Sequence, residues 1–174
     1  TGGAAIHHRM DEVTYSVVAP YSLFGDRDPR SAYRAVHAVI AAALEALGVT
    51  LEARTGGAAR ATTEGRCFSA PTDYDLVAGQ RKLVGSAQRR RGPAFLQHGS
   101  LPLTTDPEAA GATSISELLG RPVDPRNVEE AILSAATVHL AGQLVHDAPR
   151  ANELELARRI DANRYSAQSW TLER

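Results

Sequence analysis

Between residues 73 and 98, three runs of strand character are separated by turns too short to hold anything else. Residues 73–78 and 81–88 are joined by Gly79-Gln80 alone, a two-residue connection that favours an antiparallel hairpin. Residues 93–98 return after Arg91-Gly92. Such a meander commits the chain to an antiparallel sheet with the other segments arranged around it. Residues 13–19, VTYSVVA, predict a further strand that stops at Pro20. Residues 31–47 place Ala35, Val36, Val39, Ile40, Ala43, Leu44 and Leu47 at helical spacing, with Ser31 as the cap and Gly48 closing the helix. A short strand is expected at residues 49–53. Further helices are expected at 114–119, at 127–145 with Asn127 as cap, and at 151–163 with Leu154, Leu156, Ala157 and Ile160 inward. Residues 54–66 and 102–113 read as loops. Strands and helices do not alternate regularly, so the fold class is α+β: a mixed or antiparallel sheet with flanking helices, not a doubly wound sheet.

The 174 residues suit one domain. A net charge of −1 gives no broad basic face for nucleic acid. The longest apolar stretch, AVHAVIAAALEALGV, is interrupted by His37 and Glu45, so it reads as a buried helix face and not a bilayer span. No signal peptide pattern opens the sequence, and a lone Cys fits a reducing compartment. The expectation is a soluble, cytoplasmic protein that binds neither nucleic acid nor membrane. The opening TGGAAIHH has no Met. Gly2-Gly3 marks a close backbone approach, to a turn or to a ligand. Thr1 could serve as an N-terminal nucleophile, but a chain that begins inside a longer domain explains the same residues.

Two residues stand alone in their type. Lys82 is the only lysine, in a chain that uses Arg for every other basic position, and Cys67 is the only cysteine. Lys offers a compact charge on a thin flexible stem, which a planar guanidinium does not. On its strand, alternation puts Lys82 with Val84 and turns Leu83 the other way; small Gly85 and Ser86 leave room for a ligand, although an exposed lysine near a turn fits the pattern too. Cys67 follows Arg66, a cation able to favour the thiolate, although most free cysteines are simply small core residues. His98 ends the third run and reads either as a base or as a structural histidine. Arg89-Arg90-Arg91 reads as a solvated turn or as a docking patch for an acidic partner.

Taken together, TGGxAIxH (1–8), TYSVVAP (14–20), CFSAPTDYDLV (67–77), GQRKLVGSAQRRRG (79–92) and LQHGS (96–100) resemble the biotin/lipoate A/B protein ligase family, in order, through about residue 103. The resemblance implies a sheet-and-helix domain of the class II aminoacyl-tRNA synthetase and biotin ligase type. It also implies one of two chemistries. An octanoyltransferase takes octanoyl from acyl carrier protein onto a Cys thioester and delivers it to a lysine of a lipoyl domain, such as glycine cleavage H protein, without cofactor. A lipoate-protein ligase uses ATP and Mg to form an acyl-adenylate. By resemblance, Cys67 is the nucleophile and Lys82 stabilises the acyl oxygen, with His98 a candidate base for the incoming amine. Gly2, Gly3, His8, Gly85, Ser86 and Gln88 are implied as substrate-binding, and no metal ligands are implied for the transferase. The family's Arg-Arg pair and N-terminal portion are not seen before Thr1, Ala4 stands where Gly or Arg is usual, and Arg9 where Asp is common. Residues 1–174 are therefore expected to form a single catalytic domain lacking its N-terminal segment, completed by that segment or by a second chain. A non-catalytic remnant that binds lipoyl domains is the third reading.

Overall fold

The computed structural model describes residues 8–24, 29–51, 75–107, 109, 111–140 and 144–172. Among these, β1 (Glu12–Pro20), α1 (Pro29–Ala46), β2 (Leu76–Ala78), β3 (Arg81–Arg91) and β4 (Ala94–Pro102) precede α2 (Ile115–Leu119) and α3 (Pro125–His139). The strands form an antiparallel sheet in the order β1-β4-β3-β2. The α+β class expected from the meander is the one observed. The chain divides into two compact units, Thr1–Gly142 and Gln143–Arg174. In the second, α4 (Ala151–Ile160) is capped by Glu153, whose carboxylate accepts from the Arg150 N–H at 2.7 Å. A π-helical turn (Asp161–Tyr165) leads to α5 (Gln168–Leu172), and there the Arg164 guanidinium lies 4.3 Å from the Trp170 ring centre. Among the described residues no helix is long and apolar enough to cross a membrane.

Several boundaries differ from expectation for local reasons. Helix α1 starts at Pro29, ahead of Ser31, because Pro is at home in a first helical turn. Asp124, not Asn127, caps α3: its side chain accepts from the Arg126 N–H at 2.9 Å, and the helix ends at His139 instead of 145. Residues 49–51 form no strand. Strands β3 and β4 run on to Arg91 and Pro102, so the triple arginine lies on a strand end, exposed, and not in the turn. Ser114, expected as the first residue of the helix, caps α2 instead, accepting from the Glu117 N–H, and Gly120 closes that helix at φ 64°.

The pairing of β1, β4 and β3 fixes which side chains share a face. Cross-strand rows run Val13–Leu101, Tyr15–Gly99–Ser86, Val17–Gln97–Gln88 and Ala19–Phe95–Arg90. These rows face α1, whose Ala32, Val36, Ile40 and Leu44 pack on Ala19, Phe95, Val13 and Leu101. The alternate rows, Thr14–Ser100–Gly85, Ser16–His98–Ala87 and Val18–Leu96–Arg89, face away from α1. Ser86 anchors the helix side. Its Oγ bonds the Tyr15 hydroxyl at 2.6 Å and His37 Nε2 at 2.9 Å, and its carbonyl accepts from the Tyr33 hydroxyl at 2.8 Å. Gln88 donates to Gln97 and accepts from Tyr21. Among the described residues the fully buried Gln97 amide nitrogen meets no acceptor in full hydrogen-bond geometry, a cost on the order of 1–3 kcal/mol.

Two measurements test this layer. A Cβ on Gly99 would lie 2.6 Å from Tyr15 Cε1 and 2.7 Å from the Gly85 carbonyl, which is backbone and cannot swing aside. Gly99→Ala is expected to lower unfolding stability by about 2–3 kcal/mol in urea. His37 is buried, and burial, helped by the Lys82 charge, lowers its pKa from 6.5 to about 4. Stability is full above pH 6.5; as pH falls toward 4 the unfolded chain takes up a proton that the folded chain refuses. About 3 kcal/mol is lost across that window. His37→Gln is expected to flatten that slope in a pH series of urea midpoints.

Candidate active site

The hairpin that carries Lys82 is not regular. Leu76 pairs with Val84 but Val77 pairs with Lys82, so Leu83 is an extra residue on β3 with no partner on β2. This is a β-bulge, and it resets the alternation. Leu83 and Val84 both enter the core that faces α1, together with Leu76. On the near side of the bulge, Arg81 reaches α2 and pairs with Glu117. Lys82 and its partner Val77 therefore take the opposite phase, the face of Gly85, Ala87 and His98. The expected sharing of a face by Lys82 and Val84 fails for this reason.

Lys82 is 2% exposed, not an exposed strand lysine. Its Nζ lies 3.0 Å from Asp75 Oδ2, and the Asp75 side chain is equally buried. The backbone of Lys82 is held from the other flank: its N–H donates to the Gly111 carbonyl and its carbonyl accepts from the Thr113 N–H, each at 2.9 Å. The cation is thus fixed at the backbone by segment 111–113 and at the tip by a carboxylate. A buried ion pair contributes little net stability against an apolar pair of the same volume. Its retention here suits a site that needs a positioned charge, such as one that binds an oxygen on which negative charge develops.

The candidate residues separate onto two faces. Lys82, Gly85 and His98 share the face away from α1. His8, beside the start of β1, belongs to that face as well: its Nδ1 bonds the Glu12 carboxylate, whose other oxygen accepts from Ser100 Oγ at 2.7 Å. Burial above all, with the nearby His8 a lesser cause, holds the His98 imidazole below the ordinary histidine pKa. Ser86 and Gln88 lie on the other face, engaged with α1 and with Gln97. Cys67, Gly2 and Gly3 lie outside the described residues. Asp75 and Glu12 were not singled out in the sequence. Asp75 does stand in CFSAPTDYD, seven residues before Lys82, the span of a tight hairpin with one bulged residue, and that spacing was the available signal. Glu12 carried none, since its role comes from tertiary contact with Ser100.

Comparison with known proteins places this arrangement. Residues 1–112 match the family model of the lipoyl protein ligase A/B catalytic domain. Octanoyltransferase LipM of Moorella thermoacetica is 35% identical over 98% of this chain and 70% of its own length. Among solved structures, protein Ta0514 of T. acidophilum with bound lipoic acid superposes with a TM-score of 0.82 at 22% identity, over 100% of this chain and 70% of that one. A bi-partite lipoate protein ligase of Thermoplasma acidophilum, solved in a study of it and its E2 lipoyl domain, gives 0.69 at 21% identity, over 97% and 67%. The structural likenesses confirm the fold, and the sequence matches go further: this chain belongs to the lipoyl protein ligase A/B catalytic domain family.

Proposed function

We infer that this chain is an octanoyltransferase of lipoate biosynthesis that carries the acyl group on Cys67 between acyl carrier protein and a lysine of a lipoyl domain. The observation that carries the reading is the buried Lys82–Asp75 pair, in a chain with no other lysine, joined to the identity with LipM octanoyltransferase. A thioester already lies uphill of an amide, so the transfer draws on no cofactor. Passing through Cys67 divides it into two easier steps. In each step the carbonyl oxygen gains negative charge, and a fixed ammonium is worth more there than in water because it needs no reorganisation. Asp75 orients the lysine without occupying all three of its donors. Gly85 and Ala87 put no side-chain bulk on the sheet beside Lys82, which suits the packing of an acyl chain there, while Ser86 and Gln88 serve from behind by holding β3 on α1.

The reading predicts a hydroxylamine-labile octanoyl adduct on Cys67, seen by intact mass after mixing with octanoyl-acyl carrier protein without ATP, and absent from Cys67→Ser. Octanoyl or lipoyl transfer that requires ATP and survives Cys67→Ser would instead establish the lipoate-protein ligase reaction. Lys82→Met is expected to slow transfer by about 10²–10³-fold. Asp75→Asn leaves the cation buried without its partner and is expected to cost about 3–5 kcal/mol of stability. Combining Asp75→Asn with Lys82→Met is expected to restore most of that stability in thermal unfolding while activity stays lost. A double variant as unstable as Asp75→Asn alone would contradict the ion-pair account.

A further inference from the structure

His8, Glu12 and Ser100 form a chain of side chains that the account above does not use. Ser100 Oγ donates to Glu12 Oε2, and Glu12 Oε1 bonds His8 Nδ1. Glu12 is held on two sides: its side chain is only 8% exposed, whereas that of His8 is 58% exposed. A carboxylate that already accepts from a hydroxyl has only acceptor capacity to offer, so Nδ1 donates to it, and in the neutral tautomer of the ring Nδ1 is the protonated nitrogen. Its Nε2 then carries the lone pair and, among the described residues, makes no hydrogen bond. A carboxylate that fixes the tautomer and leaves the far nitrogen free is the arrangement by which an imidazole acts as a base.

The chain of groups also lies in the right place. Ser100 pairs across the sheet with Gly85 and stands beside the row of His98 and Ala87, on the face where the bulge puts Lys82. His98 faces the same region, but burial opposes its taking a proton, which a base must do. His8 is open to an incoming macromolecule, and Glu12 is there to balance the charge that the ring acquires.

We propose that His8, oriented by Glu12 and Ser100, is the general base for the acceptor lysine in the second half-reaction. The proposal rests on the octanoyl-Cys67 reading. The neutral amine of the lipoyl-domain lysine attacks the thioester carbonyl. The new C–N bond forms, the amine proton passes to His8 Nε2, and the C–S bond breaks with its electron pair going to sulfur. The imidazolium then returns the proton to the Cys67 thiolate, so the amide is released with both groups reset. The groups that face His8 are Glu12 on β1 and His98 on β4. Glu12 and Ser100 act through His8 and are positioning residues.

The two half-reactions separate this role from a structural one. In His8→Ala, transfer of octanoyl from Cys67 to a lipoyl domain is expected to slow about 10²–10⁴-fold, and by more than loading slows, so that the thioester accumulates. Added imidazole is expected to restore transfer. Glu12→Gln keeps an acceptor for Ser100 but presents the wrong partner to Nδ1, and it is expected to slow transfer by about 10-fold or more, and by more than it slows loading. Normal transfer by His8→Ala, a defect confined to loading, or failure of imidazole to restore transfer overturns the proposal. A wild-type chain that never loads Cys67 overturns the function reading itself, and is distinguished because the adduct is then missing before any variant is compared.

Discussion

The single unpaired residue Leu83 decides what the sheet of this protein can do. Without it, strict alternation along β3 would turn Lys82 toward α1 with Val84 and Ser86, into a layer already filled by Tyr15, His37 and the aliphatic core. With it, two consecutive side chains enter that core and the lysine is delivered to the other face. The bulge thus does two things at once. It adds Leu83 to the packing between sheet and helices, where it is fully buried, and it sets the phase of every side chain before it relative to every side chain after it. The fold's stability and the site's geometry depend on the same irregularity, so neither can drift without the other.

The two faces carry opposite electrostatic designs. On the side of α1, the groups bonded to one another are neutral: hydroxyls, amides and an imidazole that burial keeps from charging. Such a network is specific in geometry and cheap in desolvation. On the other side a full charge is buried with its counter-ion, and a second carboxylate is tied to a histidine. Burying charges costs more than burying neutral groups. That cost falls on the face of Lys82, and expensive arrangements of this kind concentrate at functional sites.

Much of this was legible in the sequence, and the limits have physical causes. The hairpin at Gly79-Gln80, the amphipathic α1 and the short helix before Gly120 are local properties of spacing and turn chemistry, and each is found where the pattern put it. Lys82 was marked by its rarity, and its environment is unlike that of a surface lysine. The face of Lys82 was not legible, because a bulge is a property of two strands in register and appears in neither alone. The partners were not legible either. Asp75 closes a hairpin, but Glu12 meets Ser100 across 88 residues of chain, and His37 meets Ser86 across 49. No periodicity in one segment encodes such contacts. The helix starts at Pro29 and Asp124 were missed because more than one good capping residue lay within a turn.

The division of the motif GSAQ between the faces carries a more general point. Gly85 and Ala87 face the side of Lys82, and Ser86 and Gln88 face α1. Four consecutive motif residues therefore serve two purposes, alternately: absence of bulk on one face and hydrogen bonding on the other. A Cβ at the cross-strand neighbour Gly99 would meet both Ser86 Oγ and the Gly85 carbonyl, so the close packing that the serine requires is enforced by the same strand pair that carries Gly85. A substitution at Ser86 would then alter the site without any contact to substrate, by loosening β3 from α1 and with it the position of Lys82 four residues away. Motif membership marks such a residue as important, but only the pleat of the strand says on which face that importance lies.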